Sequence, residues 1–219
     1  MNTEQIIEKT EAYLKEKFAG EPTGHDWHHI DRVRRTARLL ALEEGADAQI
    51  VELGALLHDI DDWKFNGGDV NAGPKAAEEW ILSIGGSKAL AMTISKLVAE
   101  VTFKGAGVDT STSTLEAAVV QDADRLDALG AIGIARAFAY GGNRSRELWD
   151  PTEEYELHNS FDAYKSNTSS TIAHFYEKLL LLKDRMQTQA GKELAAERHA
   201  FMETYLDQFK KEWWGDNLD

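Results

Sequence analysis

Two short segments of the sequence carry histidine and aspartate residues that could bind a metal ion. His29 lies one turn before Val33, at the edge of a predicted apolar helix face. His58 and Asp59 are adjacent within LGALLHDIDDWKF, residues 53–65. Adjacent side chains on a helix diverge by about 100°, so both can reach one ion only if it lies over the helix between them. The segments are therefore candidates for a metal site. The alternative for His29 is a capping or surface residue, and the alternative for His58 and Asp59 is a buried histidine paired to a carboxylate.

A third segment, VVQDADRLDALGAIG, places Asp122, Asp124 and Arg125 in a helix otherwise built mainly of apolar residues. A carboxylate buried in such a helix is unfavourable unless it has a cationic partner or a metal ion. A salt bridge to Arg125 or Arg136 is therefore the alternative to metal binding. Asp122 and Asp124 are two residues apart and lie on different faces of the helix, so we expect only one of them to face an ion.

Composition limits the kinds of ligand and partner. The 219 residues include no cysteine, so any metal must bind to His, Asp or Glu, and this composition fits a reducing compartment. The formal charge of −14 argues against polymeric nucleic acid as a partner but allows a small phosphorylated molecule. The sequence has no signal-peptide pattern and no run of about eighteen apolar residues. We expect a cytoplasmic protein that does not bind a membrane.

Apolar residues recur at helical spacing along almost the whole chain, which predicts an all-α fold. Ser113 and Glu116 have the spacing of a capping box at the start of a long helix. The expected helices span about Thr3–Phe18, a second segment that ends near Gly45, Ala48–Ile60, Lys75–Ile84, Ser87–Val101, Ser113–Tyr140, Ser170–Gln187 and Gly191–Trp214. The buried stripe of the second helix should contain Ile30, Val33, Ala37, Leu40 and Ala41.

The segment GGNRSRELWDPTEEYELHNS, residues 141–160, has two Gly, one Pro and no sustained apolar period. A long segment without a helical pattern is expected to be exposed and could fold over the site as a lid. In that position Arg144 or Arg146 could contact the phosphates of a substrate.

The order of these segments resembles the HD-domain superfamily of metal-dependent phosphohydrolases, whose pattern is H…HD…D. GHDWHHIDRV, ALLHDIDDWKF, VVQDADRLDALGAIGIAR, FAYGG and HFYEKLLLLKDRM look like successive blocks of a bacterial HD hydrolase group of about 200–220 residues. The resemblance covers roughly residues 24–192. It implies that one divalent metal ion binds to His29, His58, Asp59 and Asp124, with Asp122 as the alternative to Asp124.

The resemblance also implies the architecture and the ligands. We expect one compact multi-helix HD-domain bundle over residues 1–219, with a metal-binding core at about residues 24–140 and C-terminal helices at about residues 168–215 packed on it. A sulfur-free set of ligands suits Mn, Fe, Co, Ni or Zn, and Mg is also compatible. The expected substrate is a phosphate ester or anhydride, with a nucleotide favoured, and the protein is expected to be a monomer or homodimer.

Residues close to the HD pair could carry the chemistry. Asp62 lies three and four residues after Asp59 and His58, so its carboxylate reaches the same face if the helix continues for one more turn. We assign Asp62 to general acid/base catalysis, and a solvated carboxylate at a helix end is the alternative. Lys64 is a candidate to neutralise phosphate beside it.

Other cations could bind the phosphates of a substrate. The candidates are Arg32, Lys104 and Lys178. Lys178 should share one face of the predicted helix TIAHFYEKLLLLKDRM with His174 and Arg185, although a stripe of charges is often only solvated.

Two other hypotheses explain part of the pattern. His25 and His29 have the spacing of the HExxH zinc-peptidase helix, with Asp26 in place of Glu, but Asp is too short for the usual general base and His58 and Asp59 stay unexplained. The second alternative is a non-catalytic sensor domain that binds metal or nucleotide, which would retain the same residues. Turnover in the presence of added metal separates a sensor from an enzyme.

Overall fold

The computed structural model describes residues 1–20, 26–61, 69–101, 110–155 and 169–215, and within these ranges the regular structure is helical, without a β-strand. The all-α prediction is confirmed. The α-helices of the described chain are α1 (Thr3–Lys17), α2 (Trp27–Glu44), α3 (Ala48–Leu57), α4 (Ala72–Ser83), α5 (Lys88–Val101), α6 (Leu115–Asp127), α7 (Gly130–Asn143), α8 (Thr171–Glu177) and α9 (Gln189–Trp213). No helix of these ranges is long and apolar enough to cross a lipid bilayer.

Helix α3 lies between two apolar cores. Val51 and Ala55 pack into a core shared with α2 and with α5 to α9, whereas Leu53 and Leu56 pack into a second core shared with α1, α2, α4 and α5. Apart from Gln49 and Glu52, the residues of α3 are apolar, as expected for a helix packed between two cores. The end of α3, where His58 follows, is therefore held from both sides.

Helix α2 follows the predicted pattern closely. Asp26 caps its start by accepting a hydrogen bond from the His29 backbone N–H at 2.8 Å, and Gly45 ends it in the left-handed conformation at φ 74°. Its buried face contains His29, Ile30, Val33, Ala37, Leu40 and Ala41, which confirms the predicted stripe. His29 continues this stripe into the first turn, so a polar side chain enters the interior of the bundle.

The prediction of one long helix from Ser113 to Tyr140 is wrong, because the chain forms α6 and α7 with a sharp bend between them. Leu129 is extended and buried, and Gly130 adopts a left-handed φ of 69° that favours glycine. The cap of α6 is Thr114, whose side chain accepts the Ala117 N–H. The predicted capping box is therefore also wrong, since Ser113 binds Glu100 instead.

The predicted helix Ser170–Gln187 is also interrupted. Helix α8 ends at Glu177, Lys178 leaves the helical conformation at φ −139° and ψ −60°, and two 3₁₀ turns follow. The expected common face of His174, Lys178 and Arg185 is therefore wrong. Beyond the break, the Arg185 carbonyl accepts a hydrogen bond from the guanidinium of Arg125 on α6.

The C-terminal helix and the segment after α7 also bear on the expected architecture. Helix α9 packs against α2, α6 and α7. Trp149 is buried against Phe209 and Trp213 of α9, so the segment after α7 is not exposed throughout. The remainder of the predicted lid, from residue 156, lies outside the described residues, and its role stays a prediction.

The bend between α6 and α7 gives a test of packing. A Cβ atom at Gly133 would lie 2.2 Å from the Ala128 carbonyl oxygen, whereas a Cβ atom at Gly142 on the same helix would meet nothing within 4 Å. We expect Gly133→Ala to lower the free energy of unfolding by roughly 1–3 kcal/mol or more, since backbone must move. We expect the matched control Gly142→Ala to be neutral or to stabilise by less than about 1 kcal/mol. Urea unfolding measures both, and equal effects would contradict the described bend.

Candidate metal centre

Predicted side chains from three parts of the bundle approach one another. His29 comes from the first turn of α2, His58 and Asp59 from the turn after α3, and Asp124 from α6. His29, His58 and Asp59 each bring one ligand atom to within 4.8 Å of the others. The Nε2 atoms of the two histidines are 3.2 Å apart.

Each carboxylate approaches both imidazoles. Asp59 Oδ2 lies 3.3 Å from His29 Nε2 and 3.5 Å from His58 Nε2. Asp124 Oδ1 lies 3.6 Å from the first of these nitrogens and 3.7 Å from the second. The four side chains predicted to bind the metal therefore surround a common space.

The other ring nitrogen of each histidine determines what faces this space. His58 Nδ1 lies 2.8 Å from the backbone carbonyl oxygen of Ala55, and His29 Nδ1 lies 2.7 Å from Asp127 Oδ2. Both partners are acceptors, so each Nδ1 must carry the proton and donate it. In the neutral imidazoles, the lone pairs of both Nε2 atoms then point into the common space.

This arrangement requires a positive charge. Two nitrogen lone pairs 3.2 Å apart repel each other, and two carboxylates lie beside them. Two nitrogens at about 2.1 Å from a shared ion are separated by roughly 3.0–3.4 Å at octahedral to tetrahedral angles. The observed spacing and the sulfur-free donor set therefore fit a divalent metal ion.

The depth of the four side chains differs in a way that matters for access. The side chains of His29 and His58 are 0% and 1% exposed, whereas those of Asp59 and Asp124 are 15% and 30% exposed. The histidines thus form the floor of the site and the carboxylates form its solvent-facing side. Water and a ligand would approach from the side of the carboxylates.

The two aspartates that sequence reasoning could not fully separate have different partners. Asp122 accepts hydrogen bonds from the backbone N–H groups of Gln187 and Thr188 and from the Thr188 hydroxyl, at the start of α9. Burial raises the pKa of the Asp122 carboxyl, although these hydrogen bonds act in the opposite direction. Asp122 therefore anchors α9 to α6, and Asp124 faces the two histidines.

Within the described part of the chain, Asp124 does not form the alternative salt bridge to Arg125 or Arg136. Arg125 donates to the Arg185 carbonyl and to the Thr110 hydroxyl at 2.6 Å, and burial lowers the pKa of its guanidinium to about 10. Arg136 donates to Asp127 at 2.9 Å. The carboxylate of Asp124 is thus left facing the imidazoles.

Sequence reasoning missed Asp127. This buried carboxylate accepts hydrogen bonds from His29 Nδ1, from Arg32 Nε and Nη2 at 2.7 and 3.0 Å, and from Arg136. Burial alone would raise the pKa of Asp127, but these hydrogen bonds and charges outweigh it and hold the pKa well below its usual range. Its position three residues after Asp124, on the same helix face, was the available signal.

The remaining predicted site residues are only partly accounted for. Asp62, Lys64, Lys104 and His25 lie outside the described residues, so their assigned roles stay predictions. Arg32 makes a bidentate pair with Asp127, and its role in binding phosphate also stays a prediction. Lys178 lies directly after α8, off any helix face, and its role is likewise untested.

The fold and the site together place this chain among all-α proteins in which separate helices bring histidine and aspartate side chains to a candidate metal site. The HD domain family model matches residues 26–129, which contain all four of these side chains. Similarity to whole proteins extends over nearly the entire chain. The chain belongs to the HD-domain superfamily, which confirms the resemblance seen in the sequence.

Three relatives illustrate the similarity. YpgQ of Bacillus subtilis is 34% identical over 206 residues, which cover 94% of this chain and 92% of YpgQ. A crystal structure of YpgQ in complex with ADP aligns with a TM-score of 0.75 at 33% identity and covers 97% of each chain. A Lactobacillus plantarum protein aligns at 0.87 with 35% identity, covering 99% of this chain and all of that one. An HD-superfamily hydrolase from Bacillus thuringiensis aligns at 0.74 with 38% identity, covering 98% and 100%.

The contrast between Asp124 and Asp122 gives a matched pair of variants. We expect Asp124→Asn to weaken metal binding by at least about tenfold with little change in the stability of the metal-free protein. We expect Asp122→Asn to lower the free energy of unfolding by roughly 1–3 kcal/mol, because an amide N–H₂ would face three donors, while metal affinity is retained. Calorimetric titration with Mn and urea unfolding measure the two effects. The reverse pattern would assign the ligand role to Asp122.

Proposed function

We propose that this protein is a divalent-metal-dependent phosphohydrolase that acts on nucleotides. The observation that carries the proposal is the convergence of two Nε2 lone pairs and two carboxylates in one site that opens to solvent on its carboxylate side. Such a site can hold an ion and still admit water and a substrate. A purely structural metal site would be closed on all sides.

Four side chains would hold the ion. They are His29, His58, Asp59 and Asp124. When bound, a divalent ion lowers the pKa of a coordinated water towards about 7 and polarises a phosphoryl oxygen. Neutral imidazole nitrogens and carboxylates suit Mn, Fe, Co, Ni or Zn, and Mg is compatible.

The protein groups on the open side would orient the reacting molecules. The partly exposed carboxylate of Asp124 can accept a hydrogen bond from a water molecule that enters the site. Asp62 and Lys64 follow Asp59 by three and five residues in the sequence. We assign Asp62 to proton transfer with the water or leaving oxygen, and Lys64 to neutralisation of the phosphate.

Nucleotides are the substrate class that the relatives favour. YpgQ, at 33% identity and 97% coverage, has been crystallised with ADP. The net charge of −14 disfavours polymeric nucleic acid, whereas a single nucleotide can be held by a metal ion and a few local cations. The scissile bond would be either the α–β anhydride of a nucleoside triphosphate or the phosphoester of a monophosphate.

A sensor that binds nucleotide without hydrolysis is the second candidate. The complex of YpgQ with ADP is equally compatible with binding alone. The sensor hypothesis requires the same metal site, so affinity measurements cannot separate the two candidates. A turnover assay separates them, because only an enzyme releases product.

The experiment is a turnover assay on metal-stripped protein. Nucleoside mono-, di- and triphosphates are supplied with Mn, Co, Ni, Zn or Mg, and phosphate and pyrophosphate are quantified separately. We expect metal-dependent turnover, which His29→Ala should reduce to the level of the stripped protein because one ligand is lost. The neighbouring exposed His28 on the same helix provides the control, and His28→Ala should retain activity.

The products distinguish the remaining outcomes. Release of pyrophosphate from a triphosphate identifies cleavage of the α–β anhydride, and release of phosphate from a monophosphate identifies a nucleotidase. Stoichiometric metal and nucleotide binding without any turnover would contradict the hydrolase and support the sensor.

A further inference from the structure

Asp127 connects the floor of the metal site to two arginines on different helices. Asp127 is buried, with 5% of its surface exposed. Its carboxylate accepts hydrogen bonds from His29 and Arg32 of α2 and from Arg136 of α7. A buried carboxylate normally destabilises a fold unless it is paired and hydrogen-bonded. Here two guanidinium groups neutralise it, so the carboxylate can remain an acceptor for the His29 Nδ1–H.

We propose that Asp127 is a positioning residue for metal binding, an inference that rests on the proposed metal site. It holds His29 as the Nδ1–H tautomer and fixes the ring so that the Nε2 lone pair points at the ion. A carboxylate acceptor also makes the imidazole a stronger donor to a metal than a neutral acceptor does. Arg32 and Arg136 then act on the metal site through Asp127.

This proposal changes the expected role of Arg32. Its Nε and Nη2 atoms both bind Asp127, at 2.7 and 3.0 Å, which is the planar bidentate geometry that arginine forms with carboxylates. Lysine keeps the positive charge but cannot reproduce two parallel hydrogen bonds. Arg32→Lys should therefore weaken metal binding if Arg32 positions Asp127. If Arg32 instead binds the substrate phosphate, the same variant should change KM and leave metal affinity intact.

His58 provides an internal reference. Its Nδ1–H donates to the carbonyl of Ala55 in its own helix, at 2.8 Å, so its tautomer does not depend on Asp127. Both imidazoles present Nε2 to the same space, but only His29 depends on a side chain from another helix. Loss of the carboxylate should therefore affect one histidine of the pair and not the other.

The first test is metal affinity, measured by calorimetric titration of metal-stripped protein with Mn. We expect Asp127→Asn to weaken binding by roughly 10- to 100-fold and Arg32→Lys to weaken it to a smaller extent. The control is Arg35→Lys, one turn along the same helix, where the arginine is 77% exposed and pairs with Asp31. Binding by Asp127→Asn within about twofold of the unchanged protein would overturn the proposal.

The second test is the imidazole tautomer, read by ¹⁵N NMR of the metal-free protein at alkaline pH. We expect both His29 and His58 to carry the proton on Nδ1 in the unchanged protein. In Asp127→Asn the new amide can donate to Nδ1, so His29 should shift towards the Nε2–H tautomer while His58 stays unchanged. An unchanged tautomer at His29 would overturn the proposal.

The two proposals fail in different ways. If the unchanged protein binds none of the metals, the proposed function is wrong, and the tautomer measurement still decides whether Asp127 positions His29. If the unchanged protein binds metal and Asp127→Asn binds it equally well, only the role of Asp127 is wrong. If Asp127→Asn does not fold, Arg32→Lys carries the affinity test, and its equality with Arg35→Lys would overturn the positioning role.

Discussion

The structure depends on one unfavourable contact, the 3.2 Å approach of His29 Nε2 and His58 Nε2. Neither nitrogen can donate in the neutral state, because each ring already donates its proton from Nδ1 to a fixed acceptor. The fold must hold both neutral rings against this repulsion until a metal ion, or a proton on one Nε2, compensates it. Burial of both side chains and the rigid acceptors on their far sides supply that restraint.

The bundle supplies the restraint through α3 and α6. Helix α3 is packed between two apolar cores, so the turn that carries His58 is held at its end. On α6, three carboxylates within six residues serve three purposes. Asp122 anchors the C-terminal helix, Asp124 faces the histidines, and Asp127 binds His29 and the two arginines. Helix α6 thus contacts the C-terminal helix, the two histidines and the two arginines.

The resemblance to the HD-domain superfamily implied one site formed by His29, His58, Asp59 and Asp124, and local patterns were enough to predict the all-α fold and the buried stripe of α2. They could not predict features decided by contacts between distant segments. The bend at Gly130 was missed because apolar spacing continues through it, and apolar residues likewise continue past Lys178, where the helix breaks. Asp127 was missed because its partners come from α2 and α7, and a one-dimensional pattern does not reveal which carboxylate they surround.

The central claim is that two histidines and two aspartates bind one ion. The most direct measurement is anomalous diffraction from crystals grown with Mn, which locates the ion independently of any activity. The account predicts one strong peak at about 2.0–2.3 Å from both Nε2 atoms and from a carboxylate oxygen of Asp59 and Asp124. A peak elsewhere in the protein, or one that Asp124 does not reach, would contradict it.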